Sequence, residues 1–269
     1  MNEYNKMFYS ENMKGSMLSA ERIIPYVMDM LSPIHIASVV DFGCGIGGWL
    51  SQFQKINPSI NILGLDSGNP EESQLQLPVG NYKKADLSKE INLNKKYDLC
   101  ISLEVAEHLE PKYAEVFVGN ICRHSDIILF SAALTGQGGT NHVNERLLSY
   151  WAKKFRKRGY IMYDIIRPYF WNDRNIEVWY RQNMVLFIEK GVDIRECHFK
   201  KETYKAITDI AHPELLYSNR KAQADKLINR DFIYFRSRRM YYALKKIKHL
   251  FGGGGVGLFR KLGQQVVCA

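Results

Sequence analysis

The sequence predicts an α/β protein in which helices cover both faces of a mostly parallel sheet. Three observations support this fold class. Apolar segments of strand length alternate with helical segments, a glycine-rich loop joins a buried strand to a helix, and acidic residues lie at the ends of three successive strands. The 269 residues, 46% of them apolar, are enough to bury one core of this kind.

The order of the elements follows from the spacing of apolar residues and of chain breakers. The first helix has one apolar face, made of Ile23, Ile24, Val27, Met28 and Leu31. Pro33 ends this helix. The predicted elements are a helix over 19–31, a strand over 36–41, a helix over 49–56, strands over 60–66, 82–87 and 97–103, a helix over 113–122, a strand over 126–131, a helix over 144–158, and strands over 160–166 and 184–188.

The net charge of +9 divides the chain into two parts. From Lys221 onward there are eleven Lys/Arg and two Asp/Glu, so the first 220 residues carry 26 residues of each sign. We predict a domain over 1–218 and a basic amphipathic helical tail over 219–269, interrupted by Gly252–Gly255. The tail either packs on the domain with a solvated basic face or contacts a membrane surface or polyanion. The neutral domain, without a basic stripe interleaved with aromatics, argues against a nucleic-acid surface there.

Cysteine use and hydropathy predict a cytoplasmic protein. Five widely spaced cysteines form no C-x-x-C pair, which favours neither a disulfide framework nor a thiolate zinc site. No apolar run of eighteen residues and no secretory signal is present. Peripheral membrane association through the tail stays open.

The strongest motif is the glycine loop that follows the first strand. Gly43, Gly45, Gly47 and Gly48 allow a tight turn and the close approach of a ligand to the backbone. Gly43, Gly45 and Gly48 also satisfy the dinucleotide fingerprint. An NAD-binding oxidoreductase is therefore one alternative.

Three acids at the ends of successive strands favour a different ligand. Asp41 suits an amino group and would repel a pyrophosphate, Asp66 can accept both ribose hydroxyls, and Asp86 with Leu87 suits an adenine. Together they predict S-adenosylmethionine, a cationic nucleoside without phosphate. Alternatively, each acid only caps a helix or ends a strand.

Several segments resemble the successive motifs of class I S-adenosylmethionine-dependent methyltransferases. They are Asp41-x-Gly43-x-Gly45-x-Gly47, Asp66, Ala85–Leu87 and Tyr97–Leu109. Residues 8–20, 130–145 and 179–183 resemble a bacterial subgroup with a Glu-x-x-Glu-His motif. The resemblance covers about residues 8–190 and implies a seven-stranded Rossmann-like sheet of order 3-2-1-4-5-7-6 with its last strand antiparallel. The residues predicted to bind the cofactor are Ser16, Asp41, Gly43, Cys44, Gly45, Asp66, Asp86, Leu87 and Glu104. Ser16 could equally be a helix N-cap.

A metal site is a further hypothesis. On one helical turn Glu104, Glu107 and His108 would face the same side, and His142 could add a ligand from the neighbouring strand end. Such donors suit Mg²⁺ or Mn²⁺. The pattern resembles the metal site of small-RNA terminal 2′-O-methyltransferases and the Glu-x-x-Glu-His of ubiquinone-pathway O-methyltransferases. Without a metal, His108 and His142 are the candidate catalytic bases.

The acceptor is not specified by any motif. We expect an oxygen of a sugar or another small hydroxyl compound. The alternatives are an RNA ribose 2′-hydroxyl with metal assistance, and a non-catalytic scaffold that binds a membrane or polyanion through the tail. The aromatic groups 169–171 and 179–180 are predicted either to form an acceptor lid or to be ordinary packing.

Overall fold

A computed structural model describes residues 3–199 and 209–215, with side chains from residue 14 onward. The chain divides into two units, Met1–Asn219 and Arg220–Ala269, and the described residues all lie in the first. The predicted basic tail lies outside the described residues. Within the described part of the chain, no helix has the length and apolar character needed to cross a membrane.

Seven strands form one sheet in the order β3-β2-β1-β4-β5-β7-β6, as predicted. The strands are β1 (Ser38–Phe42), β2 (Asn61–Asp66), β3 (Tyr82–Lys84), β4 (Leu99–Leu103), β5 (Ile127–Ser131), β6 (Tyr160–Tyr163) and β7 (Val185–Glu189). β1 to β5 pair in parallel, and β7 runs antiparallel to both β5 and β6. The carboxyl ends of the five parallel strands therefore meet at one edge, where α/β proteins bind ligands.

Helices cover both faces of the sheet. They are α1 (Glu3–Leu31), α2 (Gly48–Ile56), α3 (Ala114–His124), α4 (Leu148–Lys157), α5 (Arg167–Phe170) and α6 (Val178–Asn183). One apolar cluster joins the sheet to α1 and α2, and a second joins it to α3 and α4. Every residue of β4 and β5 is buried, because a central parallel strand is covered on both sides.

Several boundaries differ from the predicted ones. Strands β3 and β6 end at Lys84 and Tyr163, before the predicted 87 and 166, and β4 begins at Leu99 rather than 97. Helix α1 begins at Glu3, well before residue 19, in a polar segment where apolar spacing gives no signal. Helix α4 begins at Leu148 rather than 144, because the N–H groups of Asn144 and Arg146 donate to the carbonyls of Glu107 and Ala133. The short helices α5 and α6 were not predicted, since four and six residues are too few to display a helical period.

Candidate functional site

The loop between β1 and α2 turns at three glycines with positive φ, 96° at Gly43, 54° at Gly45 and 88° at Gly47. Glycine adopts such angles without steric cost. A Cβ at Gly43 would overlap Val105 and one at Gly47 would overlap Leu77, whereas nothing lies within 4 Å of a Cβ placed at Gly45. The loop is therefore packed at its two ends and open at Gly45, where a ligand can approach the backbone.

Asp41 lies on β1, two residues before the first glycine, and is only 3% exposed. Burial, and then the negative charge of Asp66, raises the pKa of Asp41 well above its ordinary value. A buried carboxylate without a cationic neighbour is costly in its charged form. The position therefore suits a ligand that brings a positive charge, such as an ammonium group.

Asp66 ends β2 and holds backbone groups with both carboxylate oxygens. Oδ2 accepts the N–H of Gly45 at 2.8 Å, and Oδ1 accepts that of Gly68 at 2.7 Å. Each oxygen keeps a second lone pair that a hydroxyl could use. The residue thus braces the glycine loop and can still accept hydrogen bonds from a ligand.

Asp86 follows β3 and is exposed. Its Oδ1 accepts the N–H of Ser88 at 3.0 Å and the hydroxyl of Ser88 at 2.6 Å, and Lys89 lies 3.3 Å from Oδ2. These hydrogen bonds from Ser88 lower the pKa of Asp86. Local bonding of this kind is also what a simple loop acid would make, so the adenine contact of Asp86 stays a prediction.

Cys44 and Leu87 are both buried, at 8% and 5% exposure. The Cys44 thiol packs on Gly64 of β2, where a Cβ would lie 2.6 Å from its Sγ. Burial raises the pKa of this thiol, so it stays protonated. Both side chains pack into the protein, and any cofactor contact they make stays a prediction.

Ser16 lies inside α1, so the alternative of a helix N-cap is wrong. Its Oγ accepts the indole N–H of Trp49 at 2.9 Å and lies 2.9 Å from the hydroxyl of Tyr180. Burial raises the pKa of Tyr180 to about 12, so the phenol keeps its proton. One serine thereby joins α1, α2 and α6 beside the glycine loop.

Glu104 follows β4 with a positive φ of 55°. Its N–H donates to Ser131, and its carboxylate accepts the side-chain amides of Gln137 at 2.9 Å and of Asn183 at 3.1 Å. Burial raises the pKa of Glu104, and the hydrogen bonds from Gln137, Asn183 and Ser131 oppose that shift. Two distant parts of the chain therefore hold this carboxylate.

Glu107, His108 and His142 converge, with ligand atoms that all lie within 4.8 Å of one another. Glu107 is fully buried, and neither carboxylate oxygen has a hydrogen-bond partner within the described residues. Burial, and then the charge of Glu104, raises its pKa well above the ordinary value. Burial, and then the neighbouring His142, lowers the pKa of His108. Nε2 of His142 lies 4.0 Å from Oε1 of Glu107.

The predicted helical turn over 104–108 does not form. The positive φ at Glu104 redirects the chain, and a single 3₁₀ turn covers only Ala106–His108. The helical i, i+3, i+4 spacing therefore does not apply to Glu104. Three of the four predicted metal ligands come together, while the carboxylate of Glu104 is engaged by Gln137 and Asn183.

A carboxylate that follows this cluster in sequence organises the loop after β5. Oε1 of Glu145 lies 2.9 Å from Nδ1 of His142 and accepts the N–H of Gly138 at 2.6 Å. Its Oε2 accepts the N–H of Gly136 at 2.8 Å. The loop that carries His142 is therefore held by one side chain.

Sequence reasoning assigned no role to Trp49, Gln137, Glu145 or Asn183, and to Tyr180 only an aromatic one. The available signal was indirect, because residues 130–145 and 179–183 resemble a methyltransferase subgroup. Nothing local in either segment indicates which side chains meet. The residues of the predicted aromatic lid differ in their exposure, since Tyr180 is buried and Tyr169 is 66% exposed.

Comparison with known proteins identifies the fold and the family. Residues 16–183 match a family described as a methyltransferase domain. The crystal structure of Streptomyces venezuelae DesVI aligns with a TM-score of 0.51 and 13% identity over 70% of this chain and 99% of that one.

Two further solved structures have lower TM-scores. The plantazolicin methyltransferase BpumL, in complex with a desmethylPZN analog and SAH, aligns with a TM-score of 0.49 and 16% identity over 69% of this chain and 89% of that one. The methyltransferase domain of bacterial CtHen1-C aligns with a TM-score of 0.45 and 19% identity over 64% of this chain and 98% of that one. No curated protein sequence matches. At these identities the structures show the fold alone, whereas the family match covers more than half of the chain. The chain belongs to the methyltransferase-domain family and is a class I S-adenosylmethionine-dependent methyltransferase.

Proposed function

We propose that this methyltransferase acts on an oxygen of a sugar or another small hydroxyl compound. The observation that carries the proposal is the cluster of Glu107, His108 and His142 at the carboxyl edge of the sheet. A hydroxyl must lose its proton as the methyl arrives, and imidazole is the usual group for that task near neutral pH. Val143 and Leu147, which follow His142, are 54% and 46% exposed and suit the apolar faces of a small acceptor.

The cofactor residues are proposed from the geometry of the three acids and the glycine loop. Asp41 would face the amino group, Asp66 the ribose hydroxyls, and Asp86 with Leu87 the adenine. Gly43, Cys44 and Gly45 would supply the open backbone. Glu104 would lie beside the amino acid or the transferring methyl, and Ser16 would hold α1 over the site. Methyl transfer from a sulfonium is an in-line displacement, so these residues act by alignment.

The cluster also fits a divalent cation. Glu107 is fully buried, and its two carboxylate oxygens, which have no partner in the part of the chain that the structure describes, suit a cation better than an empty interior. Glu107, His108 and His142 would hold Mg²⁺ or Mn²⁺, and such an ion lowers the pKa of a bound hydroxyl. The lowered pKa of His108 keeps its ring neutral near neutral pH, which is the form that a ligand or base requires.

Without a metal, the proton would leave through His142; with one, Nε2 of His142 would be the ligand atom and the metal would lower the pKa of the hydroxyl instead. Glu145 is hydrogen-bonded to Nδ1 of this ring, and the Nε2 atom lies on the side of Glu107 and His108. Nε2 can accept the proton of an acceptor hydroxyl positioned between the cluster and the cofactor. The histidine would then release that proton to solvent as the methylated product departs.

An acceptor screen tests the proposal. Methyl-labelled S-adenosylmethionine is mixed with sugars and other hydroxyl compounds, with and without chelator, and the methylated atom is identified by NMR. We expect an O-methyl product, and a loss of more than tenfold in rate for His142→Ala and Glu107→Gln. Binding of S-adenosylhomocysteine should stay within about threefold of wild type in both variants.

Two results would overturn the assignment. One is a product methylated on nitrogen, carbon or sulfur. The other is an unchanged rate in both variants at wild-type cofactor affinity, which would remove the cluster from the reaction. Loss of activity in chelator, restored by Mn²⁺, would support the metal, and full activity in chelator would reject it.

An RNA ribose 2′-hydroxyl is a second candidate acceptor, and one observation favours it. Arg146 and Lys154 lie over the ring of Tyr150 at 5.1 Å and 4.6 Å, and α4 also exposes Lys153 and Lys157. These basic side chains lie beside one aromatic ring in a domain that is neutral as a whole.

Fluorescence anisotropy with a labelled short single-stranded RNA tests this candidate. Binding lost in Lys153→Glu/Lys157→Glu would favour α4, and loss only on deletion of 221–269 would favour the tail.

A further inference from the structure

Glu145 occupies the centre of the irregular loop between β5 and α4. Its carboxylate meets three donors at 2.6–2.9 Å, namely the N–H groups of Gly136 and Gly138 and Nδ1 of His142. An ionised carboxylate accepts hydrogen bonds and donates none. The Nδ1 atom of His142 must therefore carry its proton, and in the neutral ring Nε2 is left bare.

Gly139 limits the position of the same ring from the other side. A Cβ at Gly139, whose φ is +155°, would overlap Nε2 and Cε1 of His142. The imidazole is therefore confined between the Glu145 carboxylate and the backbone of Gly139. This confinement directs the bare Nε2 toward Glu107, whose Oε1 is 4.0 Å away.

The two glycines bound by Glu145 flank Gln137. The Gln137 amide N–H donates to Glu104 at 2.9 Å, and its Oε1 accepts from Asn183 at 2.8 Å. Because Glu145 grips the backbone on both sides of Gln137, it also sets where that amide meets Glu104. Glu145 therefore contacts His142 directly and acts on Glu104 indirectly, through the position of Gln137.

We propose that Glu145 is a positioning residue that holds His142 as the Nδ1–H tautomer and Gln137 against Glu104. The importance of this role for methyl transfer rests on the proposed function of His142. The tautomer itself does not, because it follows from the hydrogen bonds of Glu145 alone. Glu145 touches neither the cofactor nor the acceptor in this scheme.

The test is ¹⁵N NMR of the histidine rings in the full chain, with the His142 signals assigned by their absence in His142→Ala. In the metal-free wild type we expect an Nδ1–H signal and an unprotonated Nε2 for His142. A wild-type Nε2–H tautomer would overturn the proposal without any Glu145 variant. Glu145→Ala should lose the Nδ1–H preference, raise the Kd for S-adenosylhomocysteine and slow methyl transfer more than tenfold.

Three further variants separate positioning from general stability. Glu145→Gln keeps an oxygen for His142 and should restore the tautomer. Gln137→Ala should raise the Kd with the tautomer unchanged, and Glu90→Ala, an exposed acid, should change neither. A Glu145→Ala protein that melts earlier but keeps the wild-type tautomer, Kd and rate would reject positioning. If His142→Ala retains full activity while Glu145→Ala still shifts the tautomer, the proposed function fails and the tautomer assignment stands.

Discussion

The two halves of the carboxyl edge are built in different ways. Around β1 and β2 the site is made mainly by backbone, with Gly43, Gly45 and Gly47 turning the chain and Asp66 bracing the turn. Around β4 and β5 it is made by side chains from distant segments, with Glu104 held by Gln137 and Asn183. The difference teaches that a site built from backbone needs a local motif, whereas a site built from side chains can be assembled from segments far apart along the chain.

The largest expected effect is on the backbone half. Gly43→Ala introduces a side chain at positive φ, which costs about 1–2 kcal/mol, and forces it against Val105, which costs about 1–3 kcal/mol more. Gly45→Ala also places a side chain at positive φ, but no atom lies within 4 Å of its Cβ. It should therefore lower the free energy of unfolding only by the cost of the positive φ. Urea unfolding without ligand measures both. Equal losses would show that packing at Gly43 is not limiting.

The next effect concerns Asp41 and pH. Asp41→Asn should weaken binding of S-adenosylhomocysteine by about ten- to a hundredfold, the loss expected for one charge-assisted hydrogen bond. Because burial raises the pKa of Asp41, wild-type affinity should fall as the pH is lowered through that value, where the carboxylate gains a proton. The variant should show no such fall. Adenosine lacks the amino-acid ammonium group that Asp41 would face and is the matched control, so calorimetry should give it equal affinity for both proteins.

On the side-chain half, Glu107→Gln should stabilise the metal-free protein. At a pH above the raised pKa of Glu107, the variant lacks a fully buried carboxylate charge that has no hydrogen-bond partner among the described residues, with an expected gain of about 1–3 kcal/mol in free energy of unfolding. The raised pKa of Glu107 predicts the same effect with pH. Stability of the wild type should increase as the pH falls from the raised pKa toward the ordinary carboxyl value, and the advantage of the variant should shrink over that range.

Glu115→Gln is the matched control for Glu107→Gln, because its effect on stability is expected to have the opposite sign. Lys154 and Arg158 lower the pKa of Glu115 to about 2, so the charged form is favoured and the variant should be slightly less stable. Denaturation in chelator compares the two. A destabilised Glu107→Gln would mean that an unseen partner satisfies this carboxylate.

The smallest effect concerns the contact between the halves. Ser16→Ala removes the hydrogen bonds to Trp49 and Tyr180 and should cost about 1 kcal/mol in stability, with a change in Trp49 fluorescence. Ser51→Ala is the control, because its hydroxyl donates to the carbonyl of Gly48 and accepts from the side-chain amide of Gln52, both within its own helix. Equal fluorescence changes in the two variants would remove Ser16 as the link between α1 and α6.

The backbone half and the sheet were predictable because their signals are local. A buried strand, a run of glycines and an acid at or near the end of each strand lie within a few residues of one another, and right-handed parallel connections allow few other arrangements. The order of seven strands and the antiparallel last strand followed from the family resemblance and are confirmed. The roles of Asp41, Asp66 and Asp86 in cofactor binding remain predictions.

The sequence by itself determined the α/β class, the glycine turn and the chemical type of the residues available for catalysis. Only the tertiary structure decided which of them meet. It left Glu104 outside the cluster of Glu107, His108 and His142, paired His142 with Glu145 and brought Asn183 of α6 to a carboxylate 79 positions earlier. The physical reason is that hydrogen bonds between side chains depend on atoms a few ångströms apart in space, and spacing along the chain specifies such distances only within a single regular element.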